Sequence, residues 1–77
     1  MMVVFMEVKR NLIDVRVDAG FESQAALAQA AGLAESTVWQ AENGRRISRT
    51  SARKIVNALR SCGIALEVQD IDWNVSR

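Results

Sequence analysis

The chain contains no histidine and no proline, and its one cysteine is Cys62. Without histidine it lacks the side chain whose proton is exchanged most readily near neutral pH and which most often holds zinc. Cys62 has no second cysteine for an internal disulfide and no basic partner in a motif, so a buried thiol in a reducing cytoplasm is the expectation. The acidic pair Asp70 and Asp72 has no further carboxylate or metal ligand nearby in sequence. Catalysis, a bound metal and an organic cofactor are therefore not expected. Long apolar runs are also missing. The opening Met1 to Met6 is apolar but short, lacks a preceding basic region and meets Glu7 and Lys9 at once, so it reads as neither signal peptide nor membrane span.

At 77 residues the chain is read as a single domain, residues 1–77, with a core that is marginal unless its helices pack well or a second chain completes it. The formal net charge of +1 conceals an uneven distribution. Glu7, Asp14, Asp18, Glu22, Glu35 and Glu42 precede Gly44, and Glu67, Asp70 and Asp72 follow Gly63. The intervening stretch carries Arg45, Arg46, Arg49, Arg53, Lys54 and Arg60 with no acid. Helices exposed to solvent usually mix signs, and a block of one sign favours an anionic partner.

No repeat or low-complexity stretch interrupts the chain, which divides into short elements at glycines and small polar residues. Val3 to Val8, rich in β-branched residues, predicts a strand. Arg10 to Ala19 predicts a first helix, with Leu12, Ile13, Arg16 and Val17 along one side and Gly20 as its stop. Ser23 caps a second helix, Gln24 to Ala31, that turns Leu27 and Ala28 inward and ends at Gly32. Ser48 caps a helix from Arg49 to Ser61 whose apolar stripe is Ala52, Ile55, Val56 and Leu59.

Between these lies a helix starting at Glu35, and its placement of Trp39 is the most informative feature. At 100° per residue, Glu35, Ser36, Trp39, Gln40 and Asn43 fall within an arc of about 140°, with Thr37, Val38 and Ala41 opposite. Burying Trp39 drags Gln40 or Asn43 toward the core and pushes Val38 out, so the indole is expected on the exposed polar face. Small Ala28 permits close approach of the two short helices, Gly32 the sharp turn, and Val38 plugs the space between them. That is a helix-turn-helix pattern over residues 24–43, in which the second helix presents its outer face to the DNA major groove. The Asn43-Gly44 pair suits a tight turn and leaves Arg45 and Arg46 at the helix end, within reach of phosphates. Arg49 and Thr50, beside the backbone amides that open the next helix, are further phosphate candidates. Arg53, Lys54 and Arg60 point outward and are weaker ones.

The run SQAALAQAAGLAESTVWQAENGRR, Ser23 to Arg46, resembles the lambda-repressor and Cro type helix-turn-helix family, also called the xenobiotic-response-element family. The match lies in Ser-Gln, then Leu-Ala, the later Gly, Ser-Thr-Val and Glu-Asn-Gly, and the likeness extends from Leu12 to about Leu66. It implies a mainly α fold, a bundle of four main helices, with short N- and C-terminal strands added here. It also implies that Gln24 touches a phosphate and braces the recognition helix. Glu35, Ser36, Trp39, Gln40 and Asn43 match the family's DNA-facing positions. Gln40 suits adenine, Ser36 either base type, Glu35 a cytosine amino group, and Trp39 a thymine methyl or a sugar. Arg16 and Glu42 look like the family's internal ion pair between the first helix and the end of the recognition helix. The chain departs from the pattern in a longer connection, Phe21 to Ser23, where Phe21 is expected to pack as a staple. It also has Ala34 where a capping Ser or Thr is usual, a loss of about 1 kcal/mol.

The segment GIALEVQDIDW alternates Ile64, Leu66 and Val68 with Ala65, Glu67 and Gln69, which predicts a strand where many relatives have a fifth helix. It is expected to pair with Val3 to Val8, within one chain or across two. Val4, Met6, Ile64, Leu66, Val68 and Trp73 are accordingly the dimer candidates, with burial the expected role for Ile71 and Trp73. The expected function is sequence-specific binding of double-stranded DNA as a transcription regulator of Cro or repressor type. The resemblance implies a homodimer on a palindromic operator with half-sites about 34 Å apart. The expected setting is the cytoplasm of a prokaryotic cell or phage-infected host, with no membrane and no small-molecule ligand. The alternative is the antitoxin of a toxin pair, binding its own operator and a toxin.

Overall fold

The computed structural model describes residues 10–75, the last two by their backbone alone. The expected strand Val3 to Val8, with Val4 and Met6, lies outside the described residues. The described chain is mainly helical: α1 (Leu12–Asp18), α2 (Gln24–Ala31), α3 (Glu35–Glu42) and α4 (Arg49–Ser61). Two short strands, β1 (Arg46–Ile47) and β2 (Asn74–Val75), pair in parallel, with Arg46 opposite Asn74 and Ile47 opposite Val75.

Helix α1 starts later than its expected first residue, Arg10. Asn11 adopts an extended conformation and its side chain accepts from the Ile13 N–H at 2.8 Å, capping the helix. Arg10 instead bridges Ile71: its N–H donates to Asp70 O, and the Asp72 N–H donates to Arg10 O, both at 2.9 Å. The inward face also differs from the expected one. Leu12 and Val15 are buried, whereas Ile13 and Val17 are 39% and 59% exposed. The face that meets the core runs Leu12, Val15, Arg16, Ala19, the i, i+3, i+4, i+7 row, and Ile13 and Val17 lie about 110 and 150° away from its centre.

Helices α2, α3 and α4 occupy the expected positions. The Ser23 hydroxyl accepts from Ala26 N–H and the Ser48 hydroxyl from Ser51 N–H, each at 3.1 Å, while Ala34 makes no side-chain cap. Gly32, at φ +71°, takes the left-handed conformation that closes α2, and Leu33 N–H donates back to Ala28 O at 2.9 Å. Leu27, Ala28, Val38, Ala41, Ala52, Ile55, Val56, Ala58 and Leu59 fill one core together with Leu12, Val15 and Ile47. Phe21 packs partly against it, as expected of the longer connection. Cys62 does not: it is the C-cap of α4, beyond the last buried turn, and is exposed, not the buried thiol expected of a lone cysteine.

The C-terminal segment corrects the expected strand. Ile64, Leu66 and Val68 do turn inward and Ala65, Glu67 and Gln69 outward, but among the described residues they have no strand partner, and Ile64 to Glu67 is extended chain packed on the helices. A 3₁₀ turn at Val68–Asp70 then reverses the chain, because the Asp70 carboxylate accepts from Glu67 N–H at 2.7 Å and the Trp73 indole N–H donates to Val68 O at 3.1 Å. Leu66, a dimer candidate, is only 6% exposed and serves the chain's own core, against which Ile64, Val68 and Trp73 also pack. Leu66 is thus committed within the chain, while Ile64, Val68 and Trp73 keep part of their surface open. Among the described residues, no helix is long and apolar enough to cross a membrane.

Candidate nucleic-acid interface

Helix α3 is anchored on its inner side by two apolar residues and, at its end, by Glu42. Val38 and Ala41 are buried against the neighbouring helices, which fixes the rotation of the helix about its axis. Glu35, Ser36, Trp39, Gln40 and Asn43 are consequently all exposed. Trp39 is 44% exposed, a large apolar surface set among polar groups.

A buried polar cluster locks this face in place. Arg16 Nε donates to Glu42 Oε2 at 2.6 Å, and the two side chains are 11% and 2% exposed. Gln24 Nε2 donates to the other oxygen, Oε1, at 2.8 Å, and Arg16 also donates to Phe21 O at 3.0 Å. One carboxylate at the end of α3 thus ties α1, the first residue of α2 and the α1–α2 connection together. Its desolvation cost makes it weak evidence for net stability, but the geometry it imposes is narrow. Gln24 was expected to meet a phosphate; its amide nitrogen is turned onto Glu42, which makes its bracing role the one the contacts describe. The Gln24–Glu42 bond was not legible in the sequence, where eighteen positions separate the two residues and neither carries a local signal of the other.

The end of α3 is built by a glycine turn. Gly44 takes φ +72°, which only glycine adopts without strain, and Arg45 N–H reaches back to Gln40 O at 2.8 Å. This reversal lays the Arg45 guanidinium over the Trp39 ring, 5.9 Å from its centroid. The Asn43 side-chain amide donates to Trp39 O at 2.8 Å, closing the last turn. Arg46 then emerges exposed on β1, whose pairing with β2 fixes its backbone, and Arg49 and Thr50 stand exposed at the start of α4.

The electrostatic arrangement is one-sided. Among the described residues, Arg10 pairs with Asp18 at 2.6 Å and Arg16 with Glu42, whereas Arg45, Arg46, Arg49, Arg53, Lys54 and Arg60 are exposed and form no salt bridge. Exposed cations without carboxylate partners produce a positive field that attracts polyanions over about a Debye length. Glu35 is the one acid on the outer face of α3, at the helix N-terminus where the macrodipole favours it. No group of three or more histidine, cysteine or acidic side chains that could hold a metal occurs among the described residues. Comparison with known proteins returns no matching family model and no significantly similar curated protein or solved structure.

Proposed function

We propose that this chain is a sequence-specific DNA-binding transcription regulator of the lambda-repressor and Cro type, with α3 as its recognition helix. The observation that carries the reading is the outer face of α3, where Ser36, Trp39 and Gln40 stand exposed while Val38 and Ala41 anchor the helix from behind. Such a face offers hydrogen-bonding groups of the kind that read base edges in the major groove, where donor and acceptor patterns distinguish all four base pairs. Gln40 can bond adenine through two atoms, and Ser36 accepts or donates to either base type. Arg46, Arg49, Thr50 and the amides opening α4 are suited to the flanking phosphates, which fix register without reading sequence.

A homodimer on a palindromic operator is part of the proposal, since one recognition helix contacts too few base pairs to find a site in a genome. Because Leu66 is used inside the chain, the contact between copies falls to other surfaces. The antitoxin reading gains no support from the C-terminal segment, whose Leu66 and Ile71 are buried in the chain's own core instead of forming an open tail.

The test is selection of bound duplexes from a random pool at about physiological salt, with the stoichiometry of the winning complex measured alongside. An enriched palindrome carrying two chains is the expected result. A single unrepeated motif bound by one chain would retain the regulator and remove the symmetric dimer, and binding without enrichment would remove sequence-specific reading.

A further inference from the structure

Arg45 was grouped with the phosphate contacts because it follows the recognition helix, yet its side chain does not project away from that helix. The glycine turn and the bond from Arg45 N–H to Gln40 O fold the residue back, so that its guanidinium lies over Trp39. Trp39 belongs to the same face as Ser36 and Gln40. At 5.9 Å from the ring centroid the guanidinium sits within cation–π range of the indole, an attraction that uses its charge and leaves its five N–H donors available. Among the described residues none of those side-chain donors has a partner, and no carboxylate forms a salt bridge with Arg45.

From these facts we infer that Arg45 is a specificity-determining residue that reads guanine, with Trp39 as the platform that holds its donor fork edge-on toward the bases. The inference rests on the DNA-binding reading above and deepens it. A rigid pair of parallel donors matches the O6 and N7 acceptors that guanine presents in the major groove, the commonest specific arginine contact. A freely rotating arginine at a helix end grips whichever phosphate is nearest; the cation–π contact with Trp39 holds this one beside the exposed face of α3. The exposed remainder of the indole then lies next to the base pair beside that guanine, where the methyl group of thymine is the apolar feature of the groove.

The experiment is the random-duplex selection repeated with the full chain carrying Arg45→Ala, Trp39→Leu or Arg46→Ala, followed by affinities on the winning duplex and its single-base variants. Circular dichroism checks that each variant folds, which is expected because all of these side chains are exposed. For the wild type, a guanine at one fixed position of each half-site should be preferred by about 5- to 150-fold. Arg45→Ala should abolish that preference and leave the others, Trp39→Leu should reduce it and relax the neighbouring thymine, and Arg46→Ala should leave every base preference intact. A uniform loss on all duplexes for Arg45→Ala, with a salt slope reduced by about one unit, identifies a phosphate contact and overturns the inference while the DNA-binding reading stands. Absence of any enriched sequence with the wild type overturns both.

Discussion

Glu42 is where removal of a few atoms should have its largest effect. Glu42→Ala leaves Arg16, 11% exposed, with Phe21 O at 3.0 Å as its remaining partner, and leaves the Gln24 amide nitrogen without its acceptor. Breaking a buried pair by deleting one member typically costs about 3–5 kcal/mol, because the other charge stays buried and uncompensated. The surviving carbonyl contact and the partial access of water to Arg16 place the expected loss near the lower end, about 3 kcal/mol. A domain of this size has a total stability of about 4–12 kcal/mol. The variant should therefore melt roughly 12 to 24 °C below the wild type. Arg16→Met should cost at least as much, since Glu42 is the more deeply buried partner at 2%. The double variant Arg16→Met, Glu42→Leu should be more stable than either single one, because no charge is stranded. Glu42→Gln should be milder than Glu42→Ala, since a flip of the Gln24 amide restores one donor-acceptor match. Urea denaturation followed by circular dichroism measures these four and the single Glu42→Leu, which with Arg16→Met and the double variant closes the cycle that isolates the coupling. Single variants that each lose less than about 1 kcal/mol, or whose losses simply add, would refute the reasoning.

Other outcomes follow from the same structure. Ala34 has the extended conformation of an N-cap without a capping side chain, so Ala34→Ser should stabilise the chain by about 0.5–1 kcal/mol in the same denaturation assay. Leu27→Ala, at a side chain with no exposed surface, should cost about 2–5 kcal/mol and leave base preferences unchanged wherever the variant is folded. Gln40→Ala should relax preference at one base pair by about 1 to 3 kcal/mol, whereas Arg46→Ala should weaken binding to every duplex and lower the salt slope by about one unit.

The parts of the fold that could be read from sequence are those where local signals agree. Ser23 and Ser48 announce helix starts, Gly32 announces an end, and the period of Val38, Ala41 and Trp39 orients α3 before any neighbour is known. Helix α1 is harder because it is short and apolar on two sides: Leu12 with Ile13 and Val17 makes as regular a stripe as Leu12 with Val15. Leu12 and Arg16 belong to both, and it is the burial of Val15 in the shared core that decides between them. The C-terminal alternation of Ile64, Leu66 and Val68 was legible as a buried and an open side, but alternation says nothing about whether a strand lies alongside. Here the Asp70 and Trp73 hydrogen bonds form a turn after Val68, and the pairing among the described residues begins only beyond it, at Ile71 and Asn74. The exposed face of α3 was visible in advance, while the stack of Arg45 on Trp39 depends on the path of the chain through Gly44 and is a property of the folded turn.

The central claim, that the outer face of α3 and the arginines following it form a surface for duplex DNA, is tested most directly by titrating the isotope-labelled chain with duplex at low salt and following backbone and side-chain amide resonances. The account expects the largest shifts at Ser36, Trp39, Gln40 and Asn43, including the Trp39 indole and Gln40 amide signals, with a second group at Arg45, Arg46, Arg49 and Thr50. Shifts centred instead on the exposed Ile13 and Val17 side of α1, or a spectrum unmoved by DNA, would contradict it.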